Sequence, residues 1–274
     1  TTTKRSIEWM IFYTSITNGY DKLSAPPKSD VKFICFYDGV KPDTDGWEYI
    51  KIEIDEECPV RKSYHPKHCP HLYFDADDTT VWIDAAYVIT NELIEYSKVI
   101  FEEHDFVLQR HPDKRTLIKE FEKLYYHGFS TKEEIFDMCK RIKDVKFPVK
   151  FYDQTINCVI WRRLTPQVTE WCKVWREWYD SGVNRDQVSS SIAEFLVVKA
   201  HRVDLAIDMT KSTRVKSYGE SYKLHEPTGD IVDTIRKILP VEKRTFNSNT
   251  FTDVGDIIVY TCITNGYDNL VSDY

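Results

Sequence analysis

Asp84 closes the run Thr80-Val81-Trp82-Ile83, an apolar strand that stops on a carboxylate and continues into the small residues Ala85 and Ala86. In open α/β sheets ligands bind beyond the carboxyl ends of the strands, so a metal- or substrate-binding carboxylate belongs here. The plain alternative is a turn aspartate. A second acid, Asp186, stands in Asn184-Arg185-Asp186-Gln187, four polar residues opening a helix through Ile192, Phe195 and Leu196. They read either as helix-capping residues or as an acceptor site. His225, in Lys223-Leu224-His225-Glu226-Pro227, is either structural or an imidazole that completes a metal site. Asp75-Ala76-Asp77-Asp78 has the letters of a metal-binding Asp-x-Asp but precedes the strand, which favours a solvated loop. Cys58, His65, His68, Cys69 and His71 have zinc-like composition. Their spacing is irregular and proline-broken, which favours a rigid polar loop.

Strands and helices must position these groups. Ile7 to Ser15 reads as a buried strand, and Thr17-Asn18-Gly19-Tyr20-Asp21 after it is turn chemistry, since Asn and Gly accept positive φ. Val31 to Tyr37 and Tyr49 to Ile54 are further strands, and Phe106 to Gln109 is a short one. Leu117, Ile118, Phe121, Leu124 and Tyr125 recur at helical spacing, with Pro112 and Asp113 as helix-start residues. Thr131 to Lys143 forms a second helix, with Thr131 as N-cap and Glu134 as its capping-box partner. Cys158 to Trp161 is strand-like and leads into Arg162-Arg163. In the helix beyond, Val168, Trp171, Cys172, Trp175 and Trp178 form a stripe that reads as a core face before a sugar-stacking one. Strands alternating with helices place the chain in the α/β class.

Bulk properties narrow the function. A net charge of -7 argues against non-specific nucleic-acid binding. No apolar run approaches the roughly 20 residues that span a bilayer. No basic-then-apolar leader is present, so the segment is expected to be soluble and cytoplasmic, or to have been trimmed from something that was not. The seven cysteines contain no CxxC pair and suggest reduced thiols. One internal repeat stands out. Tyr13-Thr14-Ser15-Ile16-Thr17-Asn18-Gly19-Tyr20-Asp21-Lys22-Leu23 returns as Tyr260-Thr261-Cys262-Ile263-Thr264-Asn265-Gly266-Tyr267-Asp268-Asn269-Leu270. That separation matches a domain, not a solenoid period. Residues 1-245 are therefore expected to form one domain, and 246-274 a linker and the first strand of a related second one.

The paired Tyr-Thr-x-Ile-Thr-x-Gly-Tyr-Asp-x-Leu, Pro70-His71-x-x-Phe74, Trp82-Ile83-Asp84-Ala85, His111-Pro112-x-x-Arg115 and Arg185-Asp186-Gln187 occur in that order. Together, over roughly Ile11 to His225, they resemble a glycosyltransferase-like family long catalogued as a domain of unknown function. It includes plant Golgi proteins of cell-wall synthesis and domains of the multidomain glycosyltransferases of chlorovirus-type viruses. The tandem copy fits the viral arrangement better. The resemblance implies a GT-A fold, a Rossmann-like nucleotide-sugar-binding domain with a mixed central sheet flanked by helices. It implies a UDP-sugar donor, with galactose the first guess, a glycan acceptor, a tandem glycosyltransferase domain in the same chain, and viral glycoprotein glycan synthesis in the host cytoplasm. Thr14, Thr17, Asn18, Asp21, Trp82 and Arg115 would then bind donor, and Arg162 or Arg163 would hold diphosphate or sugar. Asp84 and His225 would hold Mn²⁺ or Mg²⁺. Asp186 would be catalytic, and Arg185 and Gln187 would bind acceptor.

One departure stands against the resemblance. A GT-A metal motif offers a second polar group two residues after the first carboxylate, and Ala86 stands there. Asp84 then works with His225 and water, or metal dependence is weak, or activity is lost. Two other classes remain: a non-catalytic sugar- or nucleotide-binding module assisting a tandem neighbour, and a zinc hydrolase built on the Cys58 to His71 cluster.

Overall fold

The computed structural model describes residues 10–19, 21–111, 116–149, 154–183, 185–204 and 229–239. Two compact units divide the chain, Thr1–Val241 and Glu242–Tyr274. The second unit, with the repeated stretch Tyr260 to Leu270, lies outside the described residues, as do Arg115 and His225.

Among the described residues seven strands form one sheet: β1 (Met10–Thr17), β2 (Lys32–Asp38), β3 (Glu48–Lys51), β4 (Thr79–Ile83), β5 (Phe106–Arg110), β6 (Thr155–Arg163) and β7 (His201–Val203). Their order is β3-β2-β1-β4-β6-β5-β7. β6 runs antiparallel to both its neighbours, and the other pairs are parallel. This is the α/β class expected, a mixed central sheet with helices against it. The chain moves outward from β1 to β2 and β3, then returns to β4 on the other side of β1. That reversal opens a crevice at the carboxyl ends of β1 and β4.

The described helices are α1 (Pro59–His68), α2 (Asn91–Glu103), α3 (Leu117–Tyr126), α4 (Lys132–Asp144), α5 (Pro166–Asp180), α6 (Asp186–Leu196) and α7 (Gly229–Ile238). Alternation along the strands serves both faces of the sheet. Phe12, Val81 and Trp161 pack with Leu93 and Phe101 of α2. Their neighbours Tyr13, Trp82 and Ile160 pack with Trp171 and Trp175 of α5. Strands covered on both faces must be apolar nearly throughout, as β1 and β4 are. The indole stripe is thus a core face. A third cluster joins α3, α4, α6 and α7 through Phe121, Met138, Ile192 and Ile235. No described helix is long and apolar enough to cross a membrane.

Some local expectations hold and others shift. Thr131 and Glu134 form the capping box, with bonds of 3.2 and 2.8 Å. Asn18 and Gly19 take positive φ in the turn after β1. Helix α3 starts later than expected, because the Thr116 hydroxyl caps it by accepting from the Lys119 N–H. The segment expected to be a rigid polar loop is instead α1. Pro59 suits a first helical turn, and the β1 hydroxyls of Thr17 and Ser15 donate to the carbonyls of Pro59 (3.0 Å) and Ser63 (2.5 Å). That docking outweighs the hydrogen bond lost at Pro66 inside the helix. Asp75 to Asp78 form an exposed turn at the amino end of β4, away from Asp84.

Candidate active site

Three side chains from three elements meet at the crevice. Asp84 follows β4, its N–H bonded to the Cys158 carbonyl of β6 at 2.9 Å. Asp186 is the first residue of α6. Lys67, near the end of α1, reaches between them, its Nζ 3.2 Å from Asp84 Oδ1 and 2.9 Å from Asp186 Oδ2. The Lys67 side chain is 2% exposed and that of Asp186 7%, whereas that of Asp84 is 37% exposed. Asp84 is therefore the face the cluster shows to a ligand. Lys67 also lies over the rings of Tyr64 (5.0 Å) and Trp82 (5.4 Å), a cation–π enclosure.

Each member is held by its own support. Trp82 donates its indole N–H to Asp84 Oδ1 at 2.8 Å. Trp82 itself is buried, and its contact with Asp84 orients that carboxylate. Buried Trp175 donates to the Asp186 carbonyl (3.0 Å) and Ser189 Oγ (3.1 Å), fixing the start of α6. Arg162, expected at a diphosphate, is instead fully buried. It donates to the Lys67 carbonyl at 2.8 Å and to the Tyr13 hydroxyl. Arg163 is bound to Asp105 at 2.8 Å. Both arginines are structural, and the same Arg162 that cannot reach a ligand sets the backbone of Lys67.

The two carboxyls differ in acidity although the same ammonium lowers both. Although its side chain opens on the crevice, desolvation by the protein packed around it pushes Asp84 above the ordinary range; Lys67 opposes this and the like charge of Asp186 adds to it. For Asp186 burial also raises, but Lys67 and then Arg185 outweigh it, and the group stays below the ordinary range. Its place at a helix N-terminus favours the charged form as well. Burial would discharge Lys67, yet the two carboxylates outweigh it and hold the ammonium charged. Pairs of acids separated in this way are a common signature of divided roles.

The other expected residues sit around this centre. Thr14 is buried within β1, and its hydroxyl has no hydrogen-bond partner among the described residues. Thr17 is engaged with α1. Asn18 forms the turn over Asp38, and half-buried Asp21 follows it. Arg185 bonds Glu120 at 2.7 Å with a partly open side chain. Gln187 is buried in the first turn of α6, its Oε1 unpartnered among the described residues. Lys67 is the residue that sequence reasoning missed.

Among the described residues the donor set does not fit a resident divalent cation. Asp84 Oδ1 already takes an ammonium and an indole N–H, Ala86 adds no ligand, and the place between the carboxylates holds Lys67. No group of three His, Cys, Asp or Glu converges among the described residues. His225, the expected partner of Asp84 in a metal pair, lies outside the described residues. The zinc-like residues also diverge. His65 bonds the Tyr73 hydroxyl at 2.7 Å, while His68 packs against the rings of Trp175 and Tyr179.

No family model and no curated protein matches the chain. Among solved structures, the galactosyltransferase LgtC with donor and acceptor sugar analogs is similar at 10% identity and TM-score 0.43, over 71% of this chain and 73% of that one. Mouse xyloside xylosyltransferase 1 in its apo form is similar at 10% identity and TM-score 0.37, over 72% of this chain and 84% of that one. At that distance no chemistry transfers by likeness. The site itself must carry the function.

Proposed function

We propose that the chain is a glycosyltransferase of the GT-A type that takes its sugar from a nucleotide-sugar, with Asp84 as the carboxylate that meets the reacting sugar. The observation that supports this most is the asymmetry of the acidic pair. Asp84 is open at the carboxyl end of β4, while Asp186 is closed and spent on Lys67. The reaction breaks the bond between the anomeric carbon and the nucleotide diphosphate and forms one to an acceptor hydroxyl, whose proton must be taken up. A carboxylate with a raised pKa is suited to accept that proton if configuration inverts. If configuration is retained, it orients the donor sugar. Arg185, at the start of α6, is a cation that a diphosphate at this helix N-terminus can use. Asp186 acts as a positioning residue through Lys67.

The resemblance in sequence adds finer proposals: a UDP-sugar donor, galactose as the sugar, a glycan acceptor, and a tandem partner domain in a viral, cytoplasmic setting. A screen of UDP-, GDP- and TDP-sugars tests the reading through nucleotide release and transfer. Turnover is expected for one donor class and is lost in Asp84→Asn. Wild-type rate in that variant refutes the assignment. Ala86, which offers no second polar group beside Asp84, also favours a second reading, a binding module without chemistry. Calorimetry separates the two, since glycan binding without nucleotide binding belongs to the module.

A further inference from the structure

We infer that Lys67 is the resident cation of this site, standing between Asp84 and Asp186 where a divalent ion would otherwise bridge them, so that the pair takes up no metal. Two carboxylates converging on one point ordinarily gather a hard divalent ion with oxygen ligands. Here the point is taken by Nζ at 3.2 and 2.9 Å. The ammonium is sealed: its side chain is buried, Tyr64 and Trp82 put ring faces beside it, and Arg162 holds its carbonyl. An incoming ion would have to displace a buried charged group, and the cost of stranding that ammonium opposes the exchange.

The arrangement also differs from a metal site in what it fixes. A divalent ion on Asp84 would demand further oxygens in a near-octahedral shell. The ammonium asks only for acceptors, and the Trp82 N–H on the same Asp84 oxygen is compatible with an ammonium there. Lys67 thus acts as a positioning residue, since it keeps the carboxylates together and Asp84 aimed. For catalysis, this rests on the transferase reading, and its consequence is sugar transfer that persists in chelator. The cation assignment itself does not need that reading.

Mn²⁺ alone is the probe, followed by its free paramagnetic signal and by thermal melting of the full chain. Wild type is expected to leave the Mn²⁺ signal and its melting temperature unchanged. In Lys67→Ala the bare carboxylate pair should bind one Mn²⁺, raising the melting temperature by roughly 5 °C at ~100 times the dissociation constant. Adding Asp84→Asn should abolish that gain. Uptake of Mn²⁺ by wild type that disappears in Asp84→Asn overturns the inference, and so does a folded Lys67→Ala that binds none. If Lys67→Ala fails to fold, the comparison of wild type with Asp84→Asn decides alone. Absence of turnover with every sugar nucleotide would refute the transferase reading, and the Mn²⁺ measurements would still decide this one.

Discussion

Helix α6 has a buried acid near each end, and the two are treated differently. At its carboxyl end Glu194, 0% exposed, accepts from Arg202 at 2.9 Å and from the Ala200 N–H at 3.2 Å. One carboxylate there meets one guanidinium, and the pair ties β7 to the helix. At the amino end two carboxylates share the single ammonium of Lys67, and one of them stays open. A structural pair balances its charge and closes. An excess of acid left facing a crevice is costly to keep and marks a candidate functional site. The same helix therefore holds a staple at one end and a site at the other.

Substitutions can break this contrast. The largest effect on stability is expected for Lys67→Met, which strands two carboxylates and costs about 3–5 kcal/mol in urea unfolding, with activity lost. Glu194→Gln comes next, at up to about 3 kcal/mol, because the charged pair with Arg202 is lost from a buried position. Sugar transfer per folded molecule should be unchanged in that variant, and a loss of activity would dissolve the distinction between the two ends. Asp84→Asn should cost about 1 kcal/mol or less, since the group is part-exposed and asparagine keeps an acceptor for Trp82. Its turnover should nonetheless fall by roughly 100-fold or more.

Acidity offers the smallest and most discriminating change. Asp186 lies below its ordinary value of 3.8, so it binds protons more weakly folded than unfolded. Its stabilisation is complete above that value and drains away as pH falls from there toward its folded pKa. Asp84 lies above 3.8 and has the opposite sign, so its contribution grows as pH falls through its folded pKa. Unfolding measured at stepped pH should therefore lose the first effect in Asp186→Asn and the second in Asp84→Asn. The acid limb of turnover should also lie above 3.8 where the Asp84 carboxylate is required.

Local signals explain what could be read in advance. Strands β1 and β4, the Thr131–Glu134 box and the Trp171–Trp175–Trp178 face are written in short-range periodicity. The position of Asp84 followed from one rule about strand ends. Helix α1 was hidden because its prolines outweigh its weak amphipathic pattern, and its support comes from hydroxyls of another element. Lys67 had no local mark at all, since its partner Asp186 is 119 residues away. The one usable hint was electrostatic: two acids brought to one crevice require a cation. Arg162 misled for the matching reason, because nothing near it in sequence says that it is buried.

Strand β6 lies between β4 and β5 although it follows both in the chain. As the chain emerges during synthesis, β4 can pair with β1 while its other edge still lacks β6. That edge is apolar and bare until β6 inserts, and bare edges recruit other chains. Arg162, carried in by β6, reaches the Lys67 carbonyl only at that step, and α6 with Asp186 comes later still. The acidic pair is thus completed late on the ribosome, and any fragment ending before α6 lacks the clasp on its lysine.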